Sequence, residues 1–124
     1  MKKLTWVLLA TSIVSLALTF TGCQEPEDLI NERMGMFQDD VEAGNYGNLK
    51  DHTSPLAGMY TAANASFWET LFLSSTDFSY SVSGNNADVT VGSLHFTFYL
   101  KEITPDVYKI YKIVNDDSGL TLFQ

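Results

Sequence analysis

The chain has 124 residues, fifteen acidic against seven basic side chains, a formal charge of −8 and a single cysteine. So acidic a surface repels a phosphate backbone, which excludes nucleic acid as a partner, and it gives no charge-driven hold on anionic lipid. One cysteine excludes an internal disulfide, and the length suits one domain.

Lys2 and Lys3 precede an apolar run from Leu4 to Phe20, followed by Thr21-Gly22-Cys23. A positive start, an apolar stretch and a small residue before the cut are the marks of a secretory signal peptide. Phe20-Thr21-Gly22-Cys23 resembles the lipobox of bacterial lipoproteins, with Phe20 standing where leucine is more usual. That resemblance implies cleavage before Cys23 and acyl chains on the new terminal residue, and two chains suffice for stable anchoring. Gln24 in place of aspartate favours delivery to an outer membrane, where the cell has one. The alternatives are an ordinary cleaved signal and an uncleaved transmembrane helix. The run of 17 residues from Leu4 to Phe20 is at the short limit for a span and carries five hydroxyl side chains. The expected organisation is a signal peptide over 1–22, a short lipidated tether over 23–27 and one domain over 28–124. Without 1–22 the chain keeps 102 residues, with five basic and fifteen acidic side chains, a formal charge of −10.

Pro26 followed by Glu27 and Asp28 reads as the first turn of a helix, since proline there loses no needed hydrogen bond and carboxylates favour the dipole. Ile30, Met34, Phe37 and Val41 form one apolar stripe, and Gly44 is placed to close the helix. Tyr46 and Leu49 lie in a junction that suits one inserted helical turn. Ser54-Pro55 predicts a second helix start, with Leu56, Met59, Tyr60 and Ala63 as its buried stripe. Ser66 and Glu69 have the spacing of a capping box for a third helix carrying Phe67, Trp68, Leu71 and Phe72. These two segments form either separate helices or one continuous helix.

From Phe78 the hydrophobic period changes from 3.6 to 2. Phe78, Tyr80 and Val82 alternate with serines, then Gly84-Asn85-Asn86 turns the chain into a partner strand with Val89 and Val91. The alternation changes phase at Gly92-Ser93, which predicts a tight turn or a bulge and leaves the register of the later strands open. Leu94, Phe96, Phe98 and Leu100 share one face, with His95, Thr97, Tyr99 and Lys101 on the other. Val107 to Val114 returns as a strand apolar in part on both faces, and Leu120 to Phe123 suits a short edge strand.

Helices first and strands after give an α+β order. With the helix running into Gly44-Asn45-Tyr46 and the closing strand pair Leu94–Lys101 and Val107–Ile113, the chain resembles the NTF2-like (cystatin-like) superfamily. The resemblance covers about residues 28–114. It implies N-terminal helices packed on a curved antiparallel sheet of about four strands, forming a cone. Enzymes of that superfamily use acids, histidines and tyrosines aimed into the cone, which makes His95 and Asp77 the catalytic candidates. Both also have bland readings, His95 as a polar-face residue and Asp77 as a turn former. An open cone would present Tyr60, Trp68 and Phe96 to an apolar ligand. The outer sheet face, with Thr97, Tyr99, Lys101, Lys109 and Tyr111, is the candidate surface for a protein partner or a homodimer.

His52 beside Asp51 lacks further ligands at metal spacing and reads as a solvated loop pair. Asn115 to Gly119 lacks the terminal glutamate of a calcium loop. No cofactor or metal is expected. The expectation is therefore a lipid-anchored envelope protein, exported, with a non-catalytic binding domain. The alternatives are a proton-transfer enzyme of the isomerase or hydratase type and a scaffold without a pocket.

Overall fold

A computed structural model describes residues 25–73 and 75–124. The segment expected to be a signal peptide, Cys23 and Gln24 lie outside the described residues. Helix α1 runs Pro26–Glu42 with Pro26 in its first turn, and it buries Ile30, Met34, Phe37 and Val41. Gly44 follows at φ 75, a left-handed conformation that glycine adopts without a Cβ penalty. A 3₁₀ helix over Tyr46–His52 then turns Tyr46, Leu49 and His52 into the interior.

The stretch after Ser54 departs from the expected helix. Only a 3₁₀ turn forms, over Tyr60–Ala62, and Leu56 is 77% exposed. The reason lies in the backbone. Thr53 bridges Ile110 in parallel, and the Ser54 N–H donates to the Ile110 carbonyl at 2.7 Å, so the chain enters this region as sheet edge. The Ser54 hydroxyl then accepts from the Leu56 N–H, forming a local turn that competes with helix.

Helix α2 spans Ala65–Phe72 and buries Trp68 and Phe72. Its cap is Asn64, whose side chain accepts from the Phe67 N–H at 3.0 Å, and Ser66 already lies inside the helix. Asn64→Ala is expected to destabilise the domain by about 1 kcal/mol in urea unfolding, and Asn64→Asp to leave it nearly unchanged.

Five strands follow: β1 Phe78–Ser83, β2 Asn86–Val91, β3 Leu94–Thr104, β4 Val107–Asn115 and β5 Thr121–Phe123. They form one antiparallel sheet in the order β1-β2-β3-β4-β5. Val91 pairs with Leu94, so Gly92-Ser93 is a two-residue hairpin turn with Gly92 at φ 60, and the phase change needs no bulge there. The expected cone is corrected by this topology. The sheet has five strands instead of about four, runs as a simple meander, and is neither closed nor strongly curled.

Helix α1 lies along β1 and shields that edge. Gln38 donates to the Phe78 carbonyl at 2.8 Å, the Tyr80 hydroxyl donates to the Asn31 carbonyl at 3.3 Å, and the Glu27 carboxylate accepts from the Gly84 N–H at 2.8 Å. Such cover protects a strand edge from pairing with another chain. Between helices and sheet the space is filled. Phe37, Trp68, Phe72, Phe96, Phe98 and Phe123 are all fully buried.

Candidate functional site

Strand β4 carries a bulge that shapes its outer face. Tyr99 pairs with Lys112 but Leu100 pairs with Ile110, which leaves Tyr111 as the extra residue. Two residues of the bulged strand then oppose one on its partner, and the strand twists locally. Tyr111 and Lys112 consequently both reach the outer face beside Tyr99. The two tyrosine rings lie 6.3 Å apart, the Lys101 ammonium sits 4.9 Å from the Tyr111 ring centre, and the Lys112 ammonium 5.2 Å from that of Tyr99. Each lysine is thus held over a ring by cation–π attraction. Beside them lies a groove of about 400 Å³ lined by Leu56, Ala57, Lys101, Tyr111 and Gln124.

Among the described residues, no lysine or arginine forms an ion pair with a carboxylate, although acidic side chains outnumber basic ones three to one there. Lys50 rests over the Tyr60 ring at 4.7 Å. Lys109 does not belong to the outer patch as its sequence position suggested. Its ammonium donates to the Asp51 carbonyl, and its pKa is lowered, first by burial and then by the neighbouring Arg33 charge. Thr97 is also engaged, donating to the Asp116 carboxylate at 2.7 Å. The outer patch is therefore Tyr99, Lys101, Tyr111 and Lys112.

A second constellation was not legible as such in the sequence. His52 is buried, 6% exposed, and both ring nitrogens are engaged. Nε2 lies 2.8 Å from the Asp40 carboxylate and Nδ1 lies 3.0 Å from the Arg33 guanidinium. A guanidinium only donates, so Nδ1 accepts, the ring is neutral and its proton faces Asp40. Arg33 also donates from Nε to the Tyr108 carbonyl at 2.9 Å, which ties α1 to β4. Its guanidinium pKa is lowered by burial, opposed by Glu32, from a value so high that the charge persists at neutral pH. The expected solvated Asp51–His52 pair is corrected accordingly: His52 turns inward, against the Phe37 ring at 5.7 Å.

Burial, first of all, holds the His52 pKa below its ordinary value; the hydrogen bond to Asp40 opposes this, and the Arg33 and Lys109 charges reinforce it. The unfolded chain therefore binds the proton more readily than the folded one. This contribution to stability is complete above the ordinary histidine pKa of about 6.5 and is lost as pH falls below it towards the native value. Urea unfolding from pH 8 to 5 should show a loss of stability that a His52→Gln variant lacks; parallel curves would contradict the assignment.

The other candidates are dispersed. His95 is exposed on the outer face of β3, Asp77 is exposed just before β1, and among the described residues neither side chain makes a hydrogen bond. Trp68 is fully buried and donates from Nε1 to the Ala63 carbonyl at 3.0 Å. Phe96 packs against Phe72 and Phe98 in the core, and Tyr60 lies half-buried under Lys50. Among the described residues, none of these three lines the groove beside Tyr111 or a second, apolar groove. This apolar groove of about 430 Å³ is lined by Phe67, Thr70, Leu71 and Leu122 between α2 and β5, together with Asn64 and Ser66. Among the described residues no group of three His, Cys, Asp or Glu side chains converges as metal ligands, and no helix is long and apolar enough to cross a membrane. Asn115 uses its side chain to accept from the N–H groups of Asp117 and Ser118, a local turn.

No protein-family model matches the chain, and no curated protein or solved structure matches it either. The two resemblances drawn from the sequence are corrected on that ground. The four residues Phe20-Thr21-Gly22-Cys23 are too short a pattern to carry membership among the bacterial lipoproteins, and they lie outside the described residues. The NTF2-like resemblance rested on an order of elements alone, which an open meander shares with many α+β folds.

Proposed function

We propose that this domain is a non-catalytic binding module that recognises a protein partner through the outer face of β3 and β4. The observation that supports it most is the outer patch itself: two tyrosines and two lysines, exposed or half-buried, with the lysines paired to none of the many carboxylates among the described residues. Tyrosine is enriched at protein-binding surfaces, and lysines at the rim of such a surface set partner choice through complementary charge. The proton-transfer alternative has less support. His95 is exposed and its side chain bonds no acid among the described residues, while both nitrogens of His52 are already engaged.

A photo-crosslinking amino acid placed at Tyr111 in cells should give an adduct that the same residue at Ser81, on the outer face of β1, does not. Equal yields at both positions, or none, would contradict the proposal. The Lys2-Lys3 start and the apolar run that follows support export to the cell envelope. The intact mass of the native protein tests this part, since a retained Met1 would count against it. A second reading, an apolar small-molecule ligand, is favoured by the groove at Phe67, Leu71 and Leu122. Binding of an apolar fluorescent probe that Leu71→Asp abolishes is its expected result; binding unaffected by that change would remove it.

A further inference from the structure

We infer that the partner of the outer patch is helix α1 of a second copy of this chain, in a head-to-tail contact. The inference rests on the proposed role of the patch and adds the identity of its occupant. The exposed stripe of α1 is formed by Asp28, Glu32, Met36 and Asp39, positions separated by four, four and three residues and so on one side of the helix. Met36 is 40% exposed, one of few large apolar side chains left in solvent, and carboxylates flank it on both sides. None of these three carboxylates accepts a hydrogen bond within the chain among the described residues. The patch on β3 and β4 has the inverse arrangement, a Tyr99–Tyr111 centre with Lys101 and Lys112 beside it. A thioether against aromatic rings with carboxylates against ammonium groups satisfies both surfaces at once.

The net negative charge does not forbid this contact. At about 0.15 M salt the Debye length is about 8 Å, so carboxylates spread over the rest of two domains are largely screened while groups in contact are not. The two surfaces differ, and each copy carries both, so the contact is heterologous and adds copies in series.

The test uses the full chain with the crosslinking amino acid at Tyr99. An adduct of twice the chain mass is expected, with the joined peptide falling within residues 26–42. Glu32→Gln/Asp39→Asn, which leaves the patch intact, should lower its yield about tenfold through loss of two charged contacts. Co-expressing that variant, carrying the crosslinker, with a chain of unaltered helix should restore an adduct between the two. An adduct joined through residues 94–115 of the second copy would overturn the inference by showing face-to-face pairing. An adduct with a different protein would overturn it while leaving the binding role of the patch in place. Absence of any adduct would remove both.

Discussion

Replacing Phe37 with alanine is expected to cost about 3–5 kcal/mol and to lower the melting temperature by about 12 °C or more. Phe37 is fully buried, and its ring lies between 5.4 and 6.0 Å from those of Trp68, Phe72, Phe78 and Phe98. Three of these contacts are edge-on, the arrangement that the ring quadrupole favours. Truncation would open a void bounded by α2 on one side and the inner sheet face on the other. A loss below about 2 kcal/mol in urea unfolding would mean that the core collapses around the gap, contrary to the close packing described here.

Arg33→Met is the second large effect, an expected loss of about 2–3 kcal/mol. The side chain's apolar stem would be kept, so the loss reports the polar head. Two acceptors would be orphaned together, the Tyr108 carbonyl and Nδ1 of His52. The change would also remove a positive charge that helps hold the His52 pKa down, so the variant should lose less stability on acidification than the parent. Arg33→Lys should recover only part, because one ammonium cannot reproduce two N–H groups held in a rigid fork. A variant as stable as the parent, with an unchanged pH profile, would show the network to be incidental.

These two residues differ sharply in how far the sequence disclosed them. Phe37 belongs to a stripe with Ile30, Met34 and Val41 whose spacing alone sends it inward. His52 gave no such signal, because its partners Asp40 and Arg33 lie 12 and 19 residues away and its sequence neighbours are polar. The available clue was the separation of Arg33 and Asp40 by two turns of one helix, which aligns a cation and a carboxylate for a third group to bridge. The helix expected after Ser54 failed for a different cause. Its apolar spacing was helical, but Thr53 bridges Ile110 and the Ser54 N–H was committed to the Ile110 carbonyl at the edge of β4, a tertiary fact that local pattern does not carry.

The bulge in β4 was legible in principle. Its two fully buried residues, Ile110 and Ile113, are three apart in a strand whose period is two, so one residue must be extra. That extra residue, Tyr111, is what brings a second aromatic ring and Lys112 onto the outer face. The site itself was therefore half visible. Tyr99, Lys101 and Tyr111 follow from alternation along β3 and the length of β4, whereas exclusion of Lys109 depends on the fold of the Tyr46–His52 turn against it.

Under the proposed function, Lys101 and Lys112 serve a partner and not the fold. Charge reversal of both, Lys101→Glu/Lys112→Glu, measured for thermal stability alongside crosslinking from Tyr99, separates the two roles. A melting temperature within a few degrees of the parent is expected, as for surface changes worth about 0.5 kcal/mol or less, together with loss of the adduct. A variant that melts far lower, or one that crosslinks as well as the parent, would contradict the proposed function.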